Sequence, residues 1–498
     1  MKEEFYVHKL DEVERWGCFE VVLNGPRTGN PFTDVKLSAR FTQGTRTVNV
    51  DGFYDGEGIY RIRFMPDTLG EWTFSTTSNV EQLDGVEGKL MCVAPSGNNH
   101  GPVRVKGTSY FAYADGTPYV PWGTTCYAWI YQNEDWRERT FQTLKISPFN
   151  KLRMCLFPKN YVFNEREPEL FPFMGTKANG FDFRRFNPDF FHLLEQSIDR
   201  LGERGIEVDL ILFHPYDKGR WGFDRMDKAT AHFYLKYVIA RLAAYRNIWW
   251  SVANEYDFME EKTMQDWDRY FEVLQKHDPY GHLRSIHNGT KMYDYSSLRL
   301  YDHGKPWVTH VSLQHWDLQQ TSEWRKQYGK PVIIDECGYE GNIHRRWGNL
   351  TAEEMTKRFW EGYMHGGYVS HGETYLHPEN MIWWSHGGEL FGESPQRIAF
   401  LRKIWEESPA EMDVVSLGNN YQTIGVEGEY YLQYYGSHRP AFMELSLPDD
   451  KSYRIEVIDT WNMVIEPVPG RFSGSCRVEL PGRPYIAIRV KNIDNTAE

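Results

Sequence analysis

The sequence predicts a (β/α)₈ barrel with a small β domain on either side, and three observations predict it. Between about residues 103 and 410, eight short apolar runs alternate with longer amphipathic stretches, the rhythm of a parallel barrel. Outside that region apolar and polar residues alternate between Gly, Asn, Asp and Pro clusters, as in short antiparallel strands. The chain has 498 residues, too many for one compact core.

Residues 1–98 contain "CFEVVLN", "VKLSARF", "GIYRIRF" and "GEWTFSTTS". Strands at such spacing predict an Ig-like β-sandwich, and "APSGNNHGP" at 94–102 reads as its closing linker. The barrel, 103–410, has candidate strands at 119–125, 151–157, 207–214, 248–255, 284–288, 308–315, 331–336 and 368–375. Their near-continuous apolar character suits a parallel sheet covered by helices. "PDFFHLLEQSIDRLGERG" begins at Pro188 and stops at Gly205, as helix punctuation should. Residues 289–306 show little helix, so the fifth connection is the irregular one. Residues 411–498 return to strands, "YYLQYY", "RIEVIDTW", "SCRVEL" and "YIAIRV", and form a second small β domain.

Composition narrows the function. Net charge is −13 with no long basic run, which argues against nucleic acid, because phosphate binding needs clustered cations. The N-terminus lacks a signal-peptide apolar stretch, and no apolar run can span a bilayer. Six scattered cysteines without a CxxC pair fit reduced thiols. The expectation is a cytoplasmic protein without membrane or nucleic-acid partners; self-association stays open. Aromatics reach 16%, compatible with rich cores or with flat rings stacked on ligand faces.

A barrel of this kind carries its chemistry at the C-terminal ends of its strands. "IWWSVANE" delivers Asn254 and Glu255 to that mouth, and "PVIIDE" delivers Glu336. Two facing carboxylates suit glycosidic hydrolysis, one protonating the leaving oxygen while the other attacks or aids attack. "VANEYDF" and "PVIIDECGYEG" resemble the clan A retaining glycoside hydrolases, whose fourth strand ends in Asn-Glu and whose seventh ends in Glu. The three-part layout resembles the branch with an apiosidase-like catalytic domain. The resemblance implies that Glu255 is the general acid/base, that Glu336 is the nucleophile, and that Asn254 binds a substrate hydroxyl.

Physical reasoning agrees. Glu255, near a second carboxylate and large rings, should hold its proton to higher pH. Glu336 should stay ionised through nearby donors, with Arg153 as a candidate for that and for substrate binding. Further polar strand ends (His214, His287, Asn288, His315, His371, Glu373, Tyr375) map to the mouth, and the resemblance to clan A enzymes implies that His315 orients the nucleophile. Trp122, Trp221, Trp383 and Trp384 are candidate stacking platforms. Loops 158–187, 215–226 and 376–396, with Phe171 and Phe173, are long enough to wall a cleft into a pocket.

No HExxH occurs and the first strand ends "WGTTCYAW" without His-x-His, so neither a catalytic metal nor another cofactor is expected. The leading expectation is a retaining, exo-acting hydrolase of small glycosides or oligosaccharides. A transglycosidase with the same pair, and a non-catalytic carbohydrate-binding barrel, are the alternatives.

Overall fold

The computed structural model describes residues 11–290, 292–293, 300–378 and 382–494. Parts of three expectations therefore lie outside the described residues: the first ten and last four residues of the flanking units, 291 and 294–299 of the fifth connection, and 379–381 of the last long loop.

Eight parallel strands form the barrel: Gly123–Thr125, Lys151–Cys155, Glu207–Phe213, Ile248–Ala253, Arg284–Ser285, Val311–Gln314, Val332–Glu336 and Tyr368–His371. No ladder joins the fifth and sixth, but Thr309 N–H donates to the Arg284 carbonyl at 2.9 Å and links the two edges. Helices on the outside include Glu134–Ile146, Pro188–Gly202, Lys228–Leu242, Met264–His277 and Ala352–Met364. Their starts are set locally. The side chains of Asn133, Asn187, Asp227, Thr263 and Thr351 each accept a first-turn backbone N–H, satisfying donors that the helix leaves open.

The barrel interior is unusually polar. Lys151 pairs with Asp209 at 2.8 Å and Asp335 at 2.7 Å, and Arg153 pairs with Asp209 at 2.9 Å, all without solvent exposure. Such charges survive burial only when paired and hydrogen-bonded. Ser370 donates to Asp335 at 2.9 Å and Arg153 to Ser251 at 3.1 Å, which tightens the layer. Below it the barrel is shut by a three-stranded sheet, Val103–Lys106, Tyr110–Tyr113 and Pro118–Tyr119. Its Phe111 ring lies 5.5 Å from both Trp249 and Tyr368.

The N-terminal region packs a five-stranded sheet on a three-stranded one around Phe41, Ile62, Trp72 and Leu90. It meets the barrel helices through buried ions: Arg63 and Arg241 both hold Glu195, at 2.7 and 2.6 Å, and Arg241 also holds Asp55 at 2.7 Å. The C-terminal region, a six-stranded and a two-stranded sheet, meets the barrel through rings and ions, Arg489 pairing with Glu407 at 2.8 Å. Trp360 stacks on Tyr434 at 5.0 Å. No helix among the described residues is long and apolar enough to cross a membrane.

Candidate active site

The fourth strand is buried throughout, so its end is held rigidly. One residue beyond Asn254, the backbone of Glu255 turns into the left-handed region at φ +49°, a conformation costing a non-glycine residue about 1–3 kcal/mol. The neighbourhood is built around that turn. Asp257 accepts the N–H groups of Gly289 at 2.6 Å and Thr290 at 2.8 Å, drawing the fifth loop against Glu255. Gly289 leaves room for the contact, since a Cβ there would meet Glu255 Cβ and Cγ at 2.6 Å.

Glu336 ends the seventh strand across the mouth. Tyr127 donates its hydroxyl to Glu336 Oε1. His287 Nε2 stands 3.4 Å from the same oxygen, an ion-pair distance rather than a tight hydrogen bond. Behind His287, Nδ1 lies 3.1 Å from Ser312 Oγ, and Ser312 donates to Asp335 at 2.5 Å. A polar chain thus ties the carboxylate to the buried ion layer.

Gln314 joins the two glutamates. With its amide nitrogen assigned to the atom facing them, it donates to Glu336 Oε2 at 3.2 Å and to Glu255 Oε1 at 3.1 Å. Glu255 Oε2 is buried and has no hydrogen-bond partner among the described residues.

The electrostatics split the pair. Burial raises the Glu255 pKa well above the usual carboxylate range, and the Glu336 charge raises it further, against lowering by Lys159 and Gln314. Burial pushes Glu336 upward too, but His287 and then Tyr127 outweigh it and hold the carboxyl at about 2. One glutamate is thereby kept protonated and the other ionised, the division that acid and nucleophile require. Tyr161, Tyr216, Tyr339, Trp347 and Trp384 line the cavity with them.

The other expected residues divide. Asn254 lines the cavity, its carbonyl oxygen accepting from Arg153 at 2.9 Å. His287 and Trp384 also reach the site. Arg153 is corrected from a substrate or Glu336 ligand to a support, because it is fully enclosed and spent on Asp209, Ser251 and Asn254. Trp122 is corrected outright: it precedes the first strand, at the closed end, stacked 4.3 Å from Tyr363. His214 is buried, with Nδ1 accepting from Tyr216 N–H at 3.1 Å, and shapes the loop rather than the cavity wall.

Asn288 accepts the Gln314 N–H at 3.1 Å and donates to its carbonyl at 3.3 Å, so it sets Gln314. His315 does not orient the nucleophile's side chain. Its ring lies edge-on to Trp324 at 5.1 Å, and its Nδ1 accepts from Asp317 N–H. Glu373 accepts from the N–H groups of Phe391 at 2.5 Å and Gly392 at 2.9 Å and fastens the last loop. Phe171 and Trp221, 5.8 Å apart, and Phe173, 5.8 Å from Phe223, belong to the core, not the cavity wall. Trp383 is also buried there, donating to Thr124 at 2.9 Å.

Sequence reasoning missed Tyr127, Lys159, Gln314, Tyr339 and Trp347. For Gln314 the signal was one residue away: a register shift pairs it with Glu336, so counting along the strand pointed to His315 instead. Size does not mark this site either. It encloses about 60 Å³, against about 660 Å³ for a groove at the closed end and 750 Å³ for one beside the N-terminal sheets. The roomier grooves lack facing buried carboxylates, and we identify the site by its chemistry.

Three comparisons bear on it. Residues 105–413 match the apiosidase-like catalytic domain, while 12–79 and 420–491 match two domains of unknown function. A Bacteroides vulgatus crystal structure described as a candidate glycoside hydrolase is 40% identical, with 97% of this chain and 100% of that chain covered, at a TM-score of 0.92. A glycoside hydrolase family 5 structure from Bacteroides vulgatus shares the fold at 15% identity, with 80% of this chain and 95% of that chain covered and a TM-score of 0.61. Comparison with curated proteins gives no match.

Proposed function

We propose that this chain, a glycoside hydrolase that belongs to the family of apiosidase-like catalytic domains, cleaves its carbohydrate substrate by double displacement with retention. Glu336 attacks the anomeric carbon while Glu255 protonates the leaving oxygen; Glu255 then takes a proton from the water that hydrolyses the ester. The observation that carries this reading is one amide nitrogen within hydrogen-bond reach of both glutamates, whose pKa values their surroundings push in opposite directions. Its contacts of 3.2 and 3.1 Å, even laid end to end, keep those two oxygens closer than the roughly 6.5–9.5 Å carboxyl separation of inverting pairs. Asn254, with its oxygen turned to Arg153, offers its amide nitrogen to a sugar hydroxyl.

The second part of the proposal is exo-action on small glycosides or oligosaccharides. The small cavity is rimmed by Tyr161, Trp347 and Trp384; such a site accepts a chain end more readily than a polymer lying across it. NMR of the first-formed product from a cleaved aryl glycoside tests the mechanism. The substrate's own anomeric configuration is expected, and the opposite anomer overturns retention. Single sugars released from an oligosaccharide at the earliest times support exo-action; mid-length fragments contradict it.

A further inference from the structure

Lys159, on the loop after the second barrel strand, lines the cavity together with Glu255 and Glu336. It is 2% exposed. Its Nζ sits 4.0 Å from the Tyr127 ring centroid, 4.1 Å from Trp384 and 4.3 Å from Tyr216. Among the described residues its ammonium makes no ion pair within 4 Å, although it interacts electrostatically with both glutamates. An aromatic cage holds a cation by its ring faces without neutralising it. The charge is therefore kept for something else.

We propose that Lys159 is the standing counter-charge of the carboxylate pair, offsetting Glu336 in the free enzyme and Glu255 in the covalent intermediate, and that the adjoining subsite takes an uncharged glycosyl unit. The inference rests on the double-displacement reading. In the first step a Glu336 oxygen bonds to the anomeric carbon, the glycosidic C–O bond breaks, and the Glu255 proton goes to the leaving oxygen. Glu336 loses its negative charge as an ester and Glu255 acquires one. In the second step Glu255 takes a proton from water, the water oxygen bonds to the anomeric carbon, and the ester bond breaks to restore the Glu336 carboxylate. The free enzyme and the covalent intermediate thus each carry one negative charge on the pair, on alternate glutamates. One fixed positive charge makes the sum zero throughout, which a buried site favours.

A direct ion pair would serve one stage and have to break in the other. Ring contacts fix the ammonium in place and let it serve both. A sugar carboxylate would add a second negative charge to this enclosed site, and among the described residues that line the cavity Lys159 is the only Lys or Arg. The groups with electrostatic influence on the ammonium include Cys155, Glu255, Glu336 and His214, and burial lowers its pKa to about 8, so it remains mainly charged at neutral pH.

The test uses the full chain, Lys159→Met and Lys159→Arg, on an activated neutral aryl glycoside that the wild type cleaves and on the matching aryl uronide. Removing the ammonium destabilises both carboxylates, so both limbs of the pH–rate profile should move to higher pH in Lys159→Met. Its kcat should fall about tenfold, the equivalent of one pKa unit. A pre-steady-state burst of phenol should appear as ester hydrolysis slows, while Lys159→Arg, which keeps the charge, recovers most of kcat. A Met variant with unchanged limbs and kcat, or with a change in KM alone, overturns the proposal. The wild type should prefer the neutral glycoside; equal or better cleavage of the uronide overturns the uncharged subsite, even if the Met variant does not fold. Product stereochemistry is read separately, so an inverting result removes the double-displacement reading itself and is not confused with a failure of Lys159.

Discussion

The ends of the fourth and seventh strands carry the same side chain in opposite settings. Glu255 sits on a left-handed turn with one oxygen unpartnered, and burial and its neighbour keep it protonated. Glu336 ends a regular strand, with Tyr127 donating to it and His287 beside it, and is kept ionised. Both are buried. Their surroundings, not their depth, separate them: His287 and Tyr127 lower the pKa of one carboxyl, and the charge of the other glutamate raises its partner's. The pair titrates jointly, so each of the following substitutions tests the contrast from one side.

The largest effect should come from Glu336→Ala. Without the attacking oxygen no ester forms, and kcat should fall on the order of 10⁴-fold or more on every substrate. Steady-state kinetics on good and poor leaving groups checks it; a loss confined to poor leaving groups would exchange the two roles. Glu255→Ala should cost about 10²–10⁴-fold with poor leaving groups and less in bond cleavage with good ones, which need no proton. A flat dependence of single-turnover rates on leaving-group pKa contradicts the assignment to Glu255.

Gly289→Ala sharpens the contrast without replacing a titrating group. The added methyl must displace Glu255, and a shift of this kind costs about 10²-fold. Its signature should match Glu255→Ala in leaving-group dependence, with the Glu336 limb unmoved. His287→Ala addresses the other side and should have the smallest effect. It removes the principal influence lowering the Glu336 pKa, so that pKa rises and ionisation requires a higher pH. The acidic limb of kcat/KM should move up by about one unit, leaving the basic limb in place. An acidic limb that stays put shows that Tyr127 and the other neighbours sustain the ionised state without His287.

Much of this contrast could be read in one dimension. Apolar runs that stop on Asn254-Glu255 and on Glu336 mark strand ends, because a polar group is tolerated only where a buried strand reaches the mouth. The fold class and the paired carboxylates follow from that pattern. What chain position does not encode is direction. His315, Glu373 and His214 also end strands, yet the structure turns them toward Trp324, the last loop and Tyr216. A register shift substitutes Gln314, and Trp122 falls at the wrong end of its strand.

The sequence by itself determined the barrel, its two β companions and the pair of glutamates, because periodicity and strand ends are local properties of the chain. Only the tertiary structure decided what drives the two protonation states apart. That depends on Tyr127, His287, Lys159 and Gln314, which arrive from four other strand ends and loops. Electrostatic influence falls with distance in space and depends on burial, and separation along the chain measures neither.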